Sequence, residues 1–204
     1  MGSTTRRWLM FVLGFAVAVS CGALFLKSNA NGFSARAEPT SVEVLLARTA
    51  RNLALPSKAK ERPNPIKQTH EAMEEAMAHW ADHCAVCHGN DGAGNVEMGR
   101  AMYPHAPDMR QNSTQNLTDG EIFYIIENGI RLSGMPAWGG SKAAEQSSWK
   151  LVHFIRHLPA LSVEELARME KLNPKSPEDL AGELSEEQFL NGQTPAEAPK
   201  LHQH

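Results

Sequence analysis

Nineteen consecutive residues near the start of the chain, Trp8 to Leu26 (WLMFVLGFAVAVSCGALFL), carry no charge, with Arg6-Arg7 before them and Lys27 behind. Inside a bilayer every backbone N–H and C=O has to be satisfied within the segment, so a lone run of this kind crosses as a helix. At about 1.5 Å of rise per residue the run is long for the apolar centre of a signal peptide and right for one membrane span. The heavier positive flank lies on the N-terminal side, which keeps residues 1–7 in the cytoplasm, makes residues 8–26 the anchor and puts the remainder outside. Two cleavage readings compete with a retained anchor, after Ala30 (Ser28-Asn29-Ala30) or after Ala37 (Ala35-Arg36-Ala37), both with small residues where a signal peptidase needs them. Ala18-Val19-Ser20-Cys21 is a weak lipid-attachment pattern. The apolar run continues past it, so Cys21 reads as a small apolar residue of the helix.

Charge is unevenly spread beyond that run. Residues 1–67 hold ten Lys and Arg against three Asp and Glu, residues 68–160 six against eleven, and residues 161–204 four against nine. An acidic middle and tail exclude nucleic acid as a partner, since phosphate binding wants a basic face. Residues 27–67 read as a basic tether with one short helix over 42–55, ended by Pro56; residues 56–67, rich in Lys, Arg and Pro, read as exposed linker, with contact to anionic lipid head groups as the competing reading. Residues 161–204 read as an acidic extension. Ser162 to Glu165 caps a helix to about Leu172, and Ser185 to Gln188 caps one further turn in a polar, Pro- and Glu-containing tail.

Residues 68–160 hold the periodic segments. A helix starts at Thr69, with Met73, Met77, Trp80 and Cys84 on one apolar stripe. Thr118 to Glu121 forms a capping box ahead of Ile122, Phe123, Ile125 and Ile126, and Asn128-Gly129 stops that helix. A third helix runs from about Ala143 to His157, presenting Trp149, Leu151, Val152, Ile155 and Leu158, and Pro159 ends it. Residues 89–117 have little periodicity and make a loop too long for a compact domain unless something else fills the core. No strand alternation and no internal repeat is present, so the fold class is all-α.

The densest chemistry is His83-Cys-Ala-Val-Cys-His-Gly89. C-x-x-C-H is the attachment pattern of a c-type haem: the two thiols of Cys84 and Cys87 reach two vinyl groups, and the imidazole of His88 lies beneath the iron. Two rivals exist. A thioredoxin-like redox pair needs a βαβ setting, which is missing. Zinc could draw on His79, His83, Cys84, Cys87 and His88, but a structural zinc site usually takes a second, distant ligand pair. His79 and His83 otherwise read as helix-edge residues. A haem accounts for the long loop, because its apolar surface replaces the aromatic core that a chain with 6% aromatic residues lacks. For the sixth ligand the candidates are Met98, Met102, Met109 and Met135. The first three read as flexible core filler. Met135 stands between Gly134 and Pro136, in a loop stiff enough to present a thioether to iron.

The ordered set of Cys84-Ala85-Val86-Cys87-His88-Gly89, Asp91-Gly92-Ala93-Gly94, Leu117-Thr118-Asp119-Gly120-Glu121, Asn128-Gly129-Ile130 and Gly134-Met135-Pro136-Ala137-Trp138 resembles a class I mono-haem cytochrome c domain over about residues 69–159. The preceding anchor and tether are similar to those of membrane-attached bacterial cytochromes c, and the acidic tail departs from the minimal family pattern. The resemblance implies a cytochrome c fold with first and last helices crossing around one covalent haem c, thioethers at Cys84 and Cys87, and His88 and Met135 as axial iron ligands. It implies a proline carbonyl, of Pro104 or Pro107, accepting the proton on the other nitrogen of His88. Trp138 and Arg131 are candidates for hydrogen bonding the haem propionates, with packing and a solvated charge as their plainer readings. His202-Gln203-His204 reads as a frayed terminus.

The function expected is that of a single-electron carrier on the periplasmic face of a bacterial inner membrane, between a dehydrogenase or quinol-oxidising complex and a terminal acceptor. It would do no bond chemistry itself. The acidic domain predicts redox partners with a basic docking surface. A fixed haem subunit of a larger membrane oxidoreductase is the alternative. A haem sensor or enzyme would need an open iron position, and a two-haem peroxidase would need a second C-x-x-C-H.

Overall fold

The computed structural model of the protein describes residues 2–28, 34–175, 182 and 190–191; among these it is all-α, without a strand. Helix α1 (Ser3–Ser28) is exposed along its length, and its Thr4–Lys27 stretch is long and apolar enough to cross a membrane, a property that an anchor and a signal sequence share. Helix α2 (Ser41–Ala54) begins at the capping box of Thr40 and Glu43, in which the Glu43 carboxylate accepts from the Thr40 backbone N–H at 2.7 Å. It stops at Leu55, where the following proline disfavours further helix.

The Lys/Arg/Pro-rich stretch that follows is largely exposed, yet it docks on the domain at several points. Helix α3 (Ser57–Lys60) presses Ala59 onto the start of helix α8 (Asp119–Asn128). A Cβ on Gly120 would lie 1.9 Å from the Ala59 carbonyl oxygen, so only glycine admits this approach. Arg62 then lays its guanidinium over two rings, 4.7 Å from the Phe123 centroid and 5.2 Å from that of Trp149. Asn64 donates to the Trp149 carbonyl at 2.9 Å, and His153 donates from Nε2 to the Ile66 carbonyl at 2.7 Å. The basic composition misleads because a planar guanidinium gains by stacking on aromatic faces while its edge stays wet.

The core is built where helix α4 (His70–His79) packs on α9 (Lys142–His157) and α8 packs on α9 as well. Met77 and Trp80 are buried as the apolar stripe requires, with Met73 and Cys84 half-buried against them. From α8 come Ile122, Phe123 and Ile126; from α9 come Trp149, Leu151, Val152, Phe154 and Ile155. Phe123 and Trp149 stack with centroids 3.9 Å apart, and Phe154, absent from the periodic set read along α9, is wholly buried against Trp80 at 5.5 Å. Arg156 ties the end of α9 to the chain before α8, donating to the Gln115 and Leu117 carbonyls and pairing with Asp119 at 2.8 Å. The aperiodic stretch 89–117 contains two single turns of helix, α6 (Glu97–Arg100) and α7 (Asn112–Gln115).

Packing also runs past residue 160. After a 3-10 turn (Leu158–Ala160), helix α10 (Val163–Leu172) opens on the expected capping box of Ser162 and Glu165 and returns to the domain. Met169 is 0% exposed, Arg168 pairs with Glu74 at 2.8 Å, and Asn173 donates to the Ala81 carbonyl at 2.8 Å while exchanging hydrogen bonds with Asn90. The first part of the acidic extension is therefore core, held by one buried thioether that composition hides. The capped turn expected at 185–188 and the His202-Gln203-His204 terminus lie outside the described residues.

Met169→Ala should lower the stability of the folded domain by about 2–4 kcal/mol, the usual range for emptying a buried methionine site. Urea unfolding followed by tryptophan fluorescence measures it; a solvated tail would leave the midpoint where it was.

Candidate cofactor site

Helix α4 does not end cleanly. Residues Trp80–Cys84 form a π turn, in which the Ala85 N–H reaches back to the Trp80 carbonyl, and α5 (Ala85–His88) completes the segment. Single π turns inside helices recur at functional sites because the extra residue re-aims side chains beyond it. The Trp80 indole N–H donates to the Gly89 carbonyl at 3.0 Å, and its ring lies 5.8 Å from that of His88. The end of the motif is thus pinned to the core. The loop then folds back: the Gly94 N–H donates to the His88 carbonyl at 2.8 Å, and Ala106 N–H to the Gly99 carbonyl at 3.0 Å. Gly94 has φ +69°, and a Cβ there would sit 2.2 Å from the Ala106 oxygen, so this fold-back requires glycine.

The result is an apolar cleft of about 1130 Å³, counted out to its open mouth. Cys84, Cys87 and His88 line it from the motif; Met102, Pro104, His105, Pro107 and Met109 from the loop; Ile122, Ile125 and Ile126 from α8; Leu151 and Ile155 from α9. Ile130 through Pro136 contribute Met135, and Trp138 closes that side. The Met135 loop is bound to itself. Ile130 N–H donates to the Met135 carbonyl at 3.2 Å, Ser133 Oγ donates to the Ile130 carbonyl at 2.7 Å, and Met135 N–H donates to Ser133 Oγ at 3.2 Å. Leu132, 92% exposed, takes φ +64° to make the turn, a strained conformation for a bulky residue. All four residues expected at the site, Cys84, Cys87, His88 and Met135, therefore meet in one cleft.

Their electrostatics are uniform. Burial pushes the Cys84 thiol up to about 12, helped by neighbouring Cys87, and raises Cys87 as well. Burial lowers His88, leaving a neutral imidazole. Reactive dithiols need the opposite, an environment that lowers the thiol pKa, so the redox-pair reading loses its basis. Among the described residues no group of three or more His, Cys, Asp and Glu is placed to hold a metal ion alone. His88 Nδ1 is buried without a hydrogen-bond partner. A buried unpaired nitrogen costs free energy. A neutral imidazole beside two neutral thiols in an apolar cleft fits an apolar ring with a metal at its centre.

Several expectations change. Neither Pro104 nor Pro107 accepts from His88 Nδ1, which is buried without a partner. Arg131 is exposed and does not line the cleft, whereas Trp138 does. Met98 is exposed rather than core filler, and Met102 and Met109 are cleft walls, with the Met102 sulfur packed where a Gly134 side chain would be. His83 is an edge residue as expected, yet it stacks on Trp138 at 5.5 Å and reaches the cleft. Arg51 of α2 lines the cleft too. No periodicity or spacing joins it to residues 84–88, so sequence reading had no signal for it.

Residues 71–155, less than half of the chain, match the sequence profile of a family described as cytochrome C oxidase, cbb3-type, subunit III. No curated protein matches the chain. The helical fold, the cleft and this match define a c-type cytochrome domain. More particularly, residues 71–155 are a class I cytochrome c domain, the type of domain that transfers electrons through haem.

Gly94→Ala should destabilise the domain by roughly 2 kcal/mol or more, because the new methyl meets the Ala106 oxygen at a backbone angle that L-residues avoid. Thermal unfolding of the haem-loaded protein reads this directly.

Proposed function

We propose that this protein is a mono-haem single-electron carrier, tethered by residues 8–26 to the periplasmic face of a bacterial inner membrane. The observation that carries the reading is the convergence of Cys84, Cys87, His88 and Met135 on one apolar cleft inside a cytochrome c domain. Cys84 and Cys87 would hold the group through two thioethers, each S–H adding across one vinyl double bond. His88 offers a neutral imidazole, kept so by burial. Met135 would offer its thioether to the iron from a loop closed by its own hydrogen bonds. When bound, the haem iron supplies a reversible one-electron couple. The isoleucines of α8 and the walls of residues 102–109 keep water out, and His/Met ligation with burial raises the potential. Retention of α1 as an anchor would hold the domain near membrane partners at high effective concentration. The acidic balance of residues 68–160 favours carriers and oxidases with basic docking faces.

A second reading is favoured by the family description, which names a subunit of an oxidase. Here the chain is a fixed haem subunit of a larger membrane complex, with part of residues 161–204 as an interaction arm. Purification in mild detergent separates the two: a carrier elutes alone, whereas a subunit brings stoichiometric partners.

The spectrum of the matured protein tests the shared core of both readings. Sharp reduced bands that persist after denaturation and solvent extraction are expected, and Cys84→Ala/Cys87→Ala should release the colour. Met135→Ala should abolish the weak red band of an iron–methionine bond, while Met102→Ala should retain it. A wild type that is high-spin and binds carbon monoxide readily would make the iron site open and favour sensing or catalysis.

A further inference from the structure

Helix α2 lies outside the segment that matches the cytochrome family, yet one of its side chains enters the cleft. Resting on the haem reading above, we propose that Arg51 is the charge partner of the two carboxylates that a c-type haem carries, making α2 the element through which this chain completes its cofactor site. Among the described residues lining the cleft, Arg51 is the single Lys or Arg. Carboxylates brought to an apolar cleft need a paired, hydrogen-bonding cation, and a guanidinium suits a carboxylate because its donors are forked. The alternative cation, Arg131, is exposed and does not line the cleft.

Arg51 has donors to spare. Its described hydrogen bonds both go to Asn52 Oδ1 at 3.4 Å, long for a charged donor. Burial lowers its pKa, and neighbouring Arg48 lowers it further, so an anion at this place would relieve a real deficit. Glu121 is the carboxylate that acts on it, but Glu121 already accepts from the Thr118 N–H at 2.8 Å and faces Lys60 at 3.7 Å.

Independent contacts hold this part of the chain against the cleft wall. The Thr40 and Tyr103 side chains lower the Glu43 pKa and Tyr103 is itself raised by Glu43, so the loop wall and α2 stand close here. His105, itself a wall residue, contacts the Ala35 carbonyl through Nε2 at 3.1 Å and faces Glu38 at 3.7 Å through Nδ1. The charged groups acting on Arg51 are Arg48 on its own helix and Glu121 at the start of α8, and His105, Cys84 and Cys87 are titratable neighbours in the cleft lining. His83 and His88 line the same cleft.

The test uses the full-length haem-loaded protein and Arg51→Gln, Arg51→Lys and Arg48→Gln, titrated for reduction potential from about pH 5 to 9 at low ionic strength. A paired cation keeps the carboxylates ionised throughout, so the wild type and R48Q should be nearly flat. Removing the cation raises the carboxylate pKa. Reduction adds negative charge and binds the proton more tightly, so the R51Q potential should fall as pH rises. At neutral pH its ferrous-to-ferric ratio should drop by about three- to tenfold at fixed applied potential. R51K, which keeps the charge, should remain close to wild type. An R51Q profile superimposing on that of R48Q overturns the proposal. So does an R51Q slope that disappears in R51Q/H105N, because the titrating group is then His105. A colourless preparation defeats the haem reading itself, a different failure and visible before any titration.

Discussion

Trp80 stands where two requirements meet. Its indole must be buried, and its N–H must find an acceptor once there. The ring packs on Phe154 of α9 and beside His88, and the N–H is satisfied by the Gly89 carbonyl, the first backbone group after the Cys/His motif. One side chain therefore registers the α4–α9 crossing against the Cys/His motif. The π turn that begins at Trp80 carries this register to Cys84 through a single widened turn. Helix crossing and cofactor attachment are one geometric problem in this domain, and displacement of either would disturb the other.

The interior is built with a space in it. A chain with few aromatics packs Trp80, Phe123, Trp149 and Phe154 among α4, α8 and α9, and leaves a cleft lined with isoleucine and leucine from α8 and α9 and with methionine from the loops. An apolar cleft of that size is unfavourable when filled with water and favourable when filled with an apolar ring. The loop of residues 89–117 earns its length here, since it serves as a wall and its glycines let backbone pass close to backbone. Segments on both flanks add to the domain. Residues 56–66 lie along α8 and α9, and α10 inserts Met169.

How much of this was legible varies by the range of the interaction. Helices α4, α8, α9 and α10 follow from local signals, namely capping boxes at Thr118 and Ser162, the i, i+4, i+7 stripe through Met73, Met77 and Trp80, and stops at Gly129 and Pro159. The residues of the candidate site were legible because attachment chemistry demands a fixed short spacing, and because Met135 lies in a loop of unusual local stiffness. Illegible were the docked strap at 56–66, the burial of Met169 and Phe154, and the placement of Met102 and Arg51. Each depends on a partner tens of residues away, and a stacked arginine or a buried methionine looks in sequence like a solvated or filler residue.

By itself, then, the sequence determined the helical class, the apolar N-terminal helix, and the thiols, imidazole and thioether available for a haem, since all of these rest on contacts within a turn or two of helix. Only the tertiary structure decided which side chains face the cleft, that His88 Nδ1 receives no proline carbonyl, and that segments on both sides of the family-matching stretch complete its packing. The physical reason is that burial and hydrogen-bond satisfaction are properties of neighbours in space. Whether a carbonyl meets the His88 imidazole, and whether a cation of α2 lines the cleft, depends on how distant segments fold against one another, which the spacing of the prolines and of Arg51 along the chain does not carry.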